Sequence, residues 1–119
     1  MEHARFENLN KNIYRFCDNV LEYKDGFNAI KAFINRDIPK INGIKPGEKI
    51  VKTVNFNEEI PKVILKLQGS YLYLQGPPGS GKTFQASNAI IELLKNKKKI
   101  AVTANSHKVI HNLLERVEK

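Results

Sequence analysis

Eight consecutive residues have the types and spacing of a phosphate-binding loop, because they match the pattern G-x-x-x-x-G-K-[ST] at every fixed position. In such a loop, glycines let several backbone N–H groups approach one anion closely. The lysine reaches the β- and γ-phosphates as the catalytic cation, and the hydroxyl of the last residue ligates Mg²⁺. The pattern therefore predicts a site for ATP or ADP with Mg²⁺, in which Lys82 is the catalytic residue and Thr83 the metal ligand. The eight residues are Gly76, Pro77, Pro78, Gly79, Ser80, Gly81, Lys82 and Thr83.

The residues on both sides of the loop favour this interpretation over a chance match. A phosphate loop of this kind connects a buried strand to a helix. The run from Tyr71 to Gln75 is long enough for a buried strand, and apolar residues recur at helical spacing from Phe84 to Leu94. We therefore predict a strand, the loop and a helix that ends near Lys95.

The chain after this helix predicts a second strand and a last helix. Residues Lys99 to Ala104 form a small β-prone run, and apolar positions from Val109 to Val117 recur at helical spacing. Strands that are separated by a helix of this length form a parallel pair through a right-handed crossover. The predicted fold class is therefore α/β, with parallel strands and crossover helices.

The first third of the chain predicts two helices without a catalytic constellation. Apolar residues from Phe6 to Leu21 step by three and four, and a shorter helix begins near Phe27 and ends before Pro39. Turn residues at Asn42-Gly43 place a boundary near residue 42. The prediction is a helical segment at 1–42 followed by an ATP-binding unit at 43–119.

A short strand and another helix are predicted between this boundary and the loop. The strand is placed at 50–54, and Asn57 is a suitable N-cap for the helix that follows. Pro61 is assigned to the first turn of that helix, where no intrahelical N–H donor is lost. Gly69 closes the helix in this prediction.

Composition limits the class of protein. The chain has 119 residues, 41% of them hydrophobic, and a single cysteine. No apolar run approaches the roughly twenty residues that span a bilayer, and the polar N-terminus has no signal-peptide core. Cys17 has no cysteine partner, and its apolar neighbours predict a small core residue. We expect a cytoplasmic protein without a membrane partner.

The net charge of +8 is compatible with an anionic partner but does not identify one. Lys95 and Lys97 to Lys99 form a basic cluster, which we interpret as the solvated end of a helix with Asn96 as its left-handed C-cap. His107 and His111 are four residues apart, but no third ligand accompanies them, so we predict no zinc site.

Two stretches resemble motifs of a known enzyme family. Tyr71 to Thr83 and Val102 to Leu114 are similar to motifs I and Ia of superfamily 1 helicases, and most of all to the RecB-like nuclease and helicase fusion family. The resemblance implies a partial RecA-like domain that binds ATP and acts on single-stranded nucleic acid, DNA in preference to RNA. The contacts to the strand that it implies are Thr103, Asn105 and Ser106.

Two further considerations bear on these three residues. Asn105 or Ser106 would also serve as the N-cap of the helix that follows, which explains them without a ligand. A helix N-terminus with small hydroxyl and amide side chains is equally suited to a backbone phosphate. Both interpretations stay open at this level.

Helicases of this family also need residues that this sequence does not supply. They use an acidic Mg²⁺-binding pair on a later strand, a catalytic glutamate and arginines from a second domain. All aspartates here precede the loop, and the single arginine after it, Arg116, stands near the end of the sequence. We expect an ATP-binding part of a helicase whose hydrolysis depends on the remainder of the motor in cis or in trans. The alternative is a small standalone nucleotide- or nucleic-acid-binding protein.

Overall fold

The computed structural model describes residues 2–119, with side chains from residue 7 onward, and its secondary structure is helical. The helices agree with the five that the apolar spacing predicts, to within a few residues at their ends. They are α1 (Glu2–Leu21), α2 (Asn28–Asn35), α3 (Phe56–Leu65), α4 (Lys82–Lys95) and α5 (His107–Glu118).

The predicted α/β fold class is wrong, and the RecA-like arrangement of parallel strands is excluded with it. Within residues 2–119, β-pairing is limited to isolated bridges from Ile41 to Ile44 and to Leu67. The segments at 50–54, 71–75 and 99–104, which the sequence predicts as strands, form no ladder. A strand gains its hydrogen bonds only from a partner, and none of these three segments pairs with another.

The core of the molecule lies where α4 packs against both α3 and α5. Apolar side chains at helical spacing on α3 turn toward α4, and smaller residues on α4 let the helices approach. The Ser87 hydroxyl in this core donates to the Phe84 carbonyl oxygen at 2.8 Å, so its burial is compensated. The buried residues of the three helices are Ile60, Pro61, Val63, Ser87, Ala89 and Leu113.

A hydrogen-bonded junction ties the segment after α2 to the segment before the glycine-rich loop. The Tyr71 hydroxyl donates to the Asp37 carbonyl oxygen at 2.8 Å, and the Asn42 N–H donates to the Lys66 carbonyl oxygen at 2.9 Å. Phe33 of α2 packs edge-on against the Tyr71 ring, with centroids 5.3 Å apart. The predicted division near residue 42 falls inside this junction, and the assignment of 1–42 and 43–119 as separate units stays a prediction.

Helix α1 leaves most of its apolar face exposed. It meets the start of α2 through Phe16 and Phe27, whose ring centroids lie 5.6 Å apart. Cys17 is exposed, so its prediction as a core residue is wrong. The periodicity of α1 identifies a helix face, but it does not show whether another element covers that face. Within residues 2–119, no helix combines the length and the apolar character that crossing a membrane requires.

The start of α3 differs from its prediction. The N-cap position is Asn55, which makes no side-chain capping bond, and Asn57 lies inside the helix. Pro61 is therefore the sixth helical residue rather than part of the first turn, and it cannot donate to the Asn57 carbonyl oxygen. The predicted strand at 50–54 is replaced by an irregular segment that is bound to α3.

That segment is held by the Glu59 carboxylate. Its oxygens accept the Lys52 N–H at 2.7 Å and the Thr53 N–H at 3.1 Å. Hydrogen bonding by the Thr53 side chain and then by the Lys52 backbone lowers the pKa of Glu59, because these donors favour the ionised carboxylate.

The end of α4 has a left-handed residue one position later than predicted. Asn96 has a φ of −86°, whereas Lys97 has a φ of 56°. The Lys98 N–H donates to the Leu93 carbonyl oxygen at 3.0 Å, and the Lys97 N–H donates to that of Leu94 at 2.9 Å. This bond pair terminates the helix, and the lysine cluster lies exposed at its end.

Truncation of Ile60 tests the core in which α3 contacts α4. The Ile60 side chain lies on α3 and is only 3% exposed. Ile60→Ala should lower the free energy of unfolding by about 2–4 kcal/mol, because it removes buried methyl groups and leaves a cavity. Val54, which is 93% exposed, provides the matched control. Val54→Ala should change stability by less than about 0.5 kcal/mol in the same urea titration. Equal effects of the two substitutions would contradict the packing of α3 on α4.

Candidate functional site

Glycines in the left-handed region shape the loop and start α4. Gly79 and Gly81 have φ values of 79° and 82°, which side chains other than glycine rarely adopt. Gly81 occupies the N-cap position, and Lys82 is the first helical residue. The Ser80 N–H donates to the Pro77 carbonyl oxygen at 3.2 Å and closes the turn. The loop is thus a tight turn that leads directly into a helix.

Gly76 is required for a different reason, the close approach of Ser80. A Cβ atom at position 76 would collide with the Ser80 hydroxyl oxygen and would lie 3.1 Å from the Ser80 Cβ. The absence of a side chain at Gly76 therefore lets the start of the loop approach Ser80 in its middle.

The Lys82 side chain folds back over the loop. Its ammonium donates to the carbonyl oxygens of Gly76 and of Pro77, the latter at 2.7 Å. The Ser80 hydroxyl oxygen lies 3.3 Å from the same nitrogen. Backbone acceptors thereby fix a positive charge above the concave side of the loop.

The first turn of α4 adds backbone donors next to this charge. Gly81 has no side chain to cap the helix, and the first turn contains no acidic residue. The N–H groups of Lys82, Thr83 and Phe84 precede the first intrahelical bond, from the Gln85 N–H to the Gly81 carbonyl oxygen at 2.9 Å. In the described part of the chain, these three N–H groups make no backbone bond outside the helix. Ammonium, helix dipole and N–H groups together favour an anion.

A pocket of about 240 Å³ adjoins the loop on the side of α3. Gln85, which sequence reasoning missed, donates from Nε2 to Asn57 Oδ1 at 2.5 Å. Its Oε1 is buried and has no partner among the described side chains and backbone groups. The lining residues are Phe56, Ile60, Leu74, Gln75, Ser80, Lys82 and Gln85.

A second, larger groove of about 570 Å³ lies between the start of α4 and one face of α5. Thr83 contributes to it from the loop side, and Arg116 contributes from α5. Sequence reasoning placed Arg116 only near the end of the chain. The packing of α4 on α5 is what brings it to the loop.

The second predicted group of site residues precedes α5. Thr103, Asn105 and Ser106 are exposed in the segment that leads into α5. They lie at the predicted N-terminus of the last helix, but the segment at 99–104, which contains Thr103, is not the predicted strand. Ser106 precedes Arg116 by ten helical residues, which corresponds to about 15 Å along α5.

The N-terminus of α5 has no side-chain cap. Ser106 occupies the N-cap position in an extended conformation, but neither its hydroxyl nor another side chain makes a capping bond. The first turn contains no acidic residue. Ser106 therefore occupies the predicted N-cap position, but it does not form the hydrogen bond that a capping side chain would make.

Comparison of the chain with protein-family models, with curated proteins and with solved structures found no match. The functional proposal therefore depends on the residues and the geometry described above.

Proposed function

We propose that the chain binds ATP or ADP with Mg²⁺ through the loop from Gly76 to Thr83. The observation that carries the proposal is the Lys82 ammonium, which backbone carbonyl oxygens hold beside the uncapped first turn of α4. A tight glycine turn, a fixed cation and unused N–H groups in one place are the requirements of a polyphosphate site. The match of the sequence to the phosphate-loop pattern supports the same conclusion.

Lys82 would exchange one of its contacts when phosphate binds. Its three donors are directed at two carbonyl oxygens and at the more distant Ser80 hydroxyl oxygen. The Ser80 contact, at 3.3 Å, is the weakest of the three, so a phosphate oxygen replaces it at the least cost. The two carbonyl oxygens then keep the ammonium over the loop while its third N–H donates to an oxygen of the β- or γ-phosphate.

The Thr83 hydroxyl fits the role of a Mg²⁺ ligand. Mg²⁺ retains several waters and takes one or two protein oxygens together with phosphate oxygens, so a single exposed hydroxyl at the loop is a suitable donor. Thr83 is exposed and borders the groove beside α5, which leaves room for this hydration shell. The ion would neutralise charge between the β- and γ-phosphates.

The pocket beside α3 supports a nucleotide over a simple phosphate. It adjoins Ser80 and Lys82 and is lined by Phe56. An aromatic ring suits the nucleoside part of the ligand. Binding is the whole of the proposed activity of this chain, since turnover requires acidic and arginine residues that a helicase-like partner region would supply in cis or in trans.

Replacement of Lys82 tests this proposal directly. Lys82→Ala should weaken binding of Mg-ADP and Mg-ATP by at least about tenfold, because a charge-assisted contact to phosphate contributes roughly 1.5–3 kcal/mol. Lys98→Ala removes the same charge from the exposed end of α4 and should bind as the unaltered protein does. Titration calorimetry measures both. Equal affinity of Lys82→Ala and the unaltered protein would refute the proposed site.

We further propose that Thr103, Asn105 and Ser106 contact the backbone of single-stranded nucleic acid, DNA in preference to RNA. The specific observation in favour is the uncapped N-terminus of α5, where Ser106 leaves the first-turn donors to another acceptor. A phosphate of the strand is a suitable acceptor, and the net charge of +8 assists its approach.

Substitutions at Asn105 and Ser106 separate strand binding from capping. The double variant Asn105→Ala, Ser106→Ala should weaken binding of a single-stranded oligonucleotide by about thirtyfold at low salt, since each of the two lost hydrogen bonds contributes roughly 1 kcal/mol. Fluorescence anisotropy across a salt series measures the affinity, and Asn10→Ala on α1 is the matched control. Unchanged affinity together with reduced stability would show that the two residues act only on the helix.

A further inference from the structure

We infer that Arg116 binds the terminal phosphate of ATP and makes the loop prefer a triphosphate over a diphosphate. The inference rests on the proposed function, because it concerns the same site. It adds a residue that the loop pattern does not contain and that α5 supplies from the same chain.

The groove between α4 and α5 places Arg116 on the correct side of the loop. Thr83, the proposed Mg²⁺ ligand, lines this groove together with Arg116. If Thr83 holds the ion of Mg-ATP, a terminal phosphate that shares this ion would lie on the Thr83 side of the site. The groove has a volume of about 570 Å³, compared with about 240 Å³ for the pocket beside α3, so it has room for a phosphate with its hydrated ion.

The face of α5 that borders the groove presents Arg116. Val109, Asn112 and Arg116 follow one another at intervals of three or four residues, so they share one helix face, and Lys119 follows at the C-cap position. Arg116 and Lys119 bring two positive charges to the groove, and the carboxylate of Glu115 and the negative end of the α5 dipole offset part of them. A phosphate in the groove therefore depends on direct contact with Arg116 rather than on the overall charge.

Arg116 has no ionic partner in the described part of the protein. Among side chains from residue 7 onward, the ion pairs are Lys24 with Glu22 and Lys95 with Glu92. The planar fork of a guanidinium fits two phosphate oxygens at once. ATP offers such a pair on its γ-phosphate, whereas ADP ends one phosphate earlier and leaves the groove without this contact.

The test compares a triphosphate and a diphosphate on matched variants of the full chain. The probes are Mg-ADP and the Mg complex of ATP with a β,γ-imido link, which resists hydrolysis. Arg116→Gln removes the charge and keeps most of the side-chain length, Arg116→Lys keeps the charge without the fork, and Lys98→Gln is the control for loss of one exposed charge. Circular dichroism verifies that each variant is folded, and calorimetry gives the affinities.

We expect Arg116→Gln to weaken binding of the triphosphate by about tenfold and to change ADP affinity less than about twofold. Arg116→Lys should weaken triphosphate binding by an intermediate factor, and Lys98→Gln should leave it unchanged. Should Arg116→Gln fail to fold, Arg116→Lys decides the matter by its ratio of triphosphate to diphosphate affinity. An unchanged ratio in a folded Arg116 variant that still binds ADP overturns the inference and leaves the loop proposal intact. Arg116 then acts only as a cation at the C-terminal end of α5. Failure of the unaltered protein to bind either nucleotide overturns both proposals.

Discussion

The packing of α4 against α3 on one side and α5 on the other is the constraint on which the site depends. Helix α4 begins at Lys82, so the core that fixes its position also fixes the glycine turn and the first-turn N–H groups. Small buried residues, Ser87 and Ala89, allow the close helix contact. Because α3 and α5 lie against the same helix, they also provide the walls of the two pockets that border the loop. A loss of this packing would therefore affect the ligand site as well as stability.

The elements that sequence reasoning identified correctly are those that local spacing determines. The interval of three between Ile60 and Val63 marks the buried face of α3, and it does so without knowledge of any other element. The strands were predicted wrongly because a strand depends on partners that are distant in sequence, and local β propensity does not show whether they exist. Tyr71 illustrates this point, since its neighbours are β-prone but its hydroxyl and ring bind Asp37 and Phe33 instead of a second strand.

The candidate site likewise contains some residues that the local sequence predicts and others that it does not. The turn at Gly79 and Gly81 and the position of Lys82 follow from consecutive residues, so the pattern predicts their local geometry. Arg116 reaches the loop through the packing of α5 on α4, and no spacing in the sequence relates it to the loop. The Gln85 position three residues after Lys82 is a signal that sequence reasoning had available and did not use. A site whose residues come from different helices can be identified only when the relative positions of those helices are known.

The most direct test of the central claim is to observe the loop amides while a nucleotide binds. Two-dimensional NMR of the ¹⁵N-labelled chain, titrated with Mg-ADP, reports each backbone N–H separately. We predict that the amides of Gly79, Gly81, Lys82 and Thr83 shift together and saturate with one affinity, while those of α1 do not move. A saturable response elsewhere with these four amides unchanged, or no saturable response at all, would contradict a polyphosphate site at the start of α4.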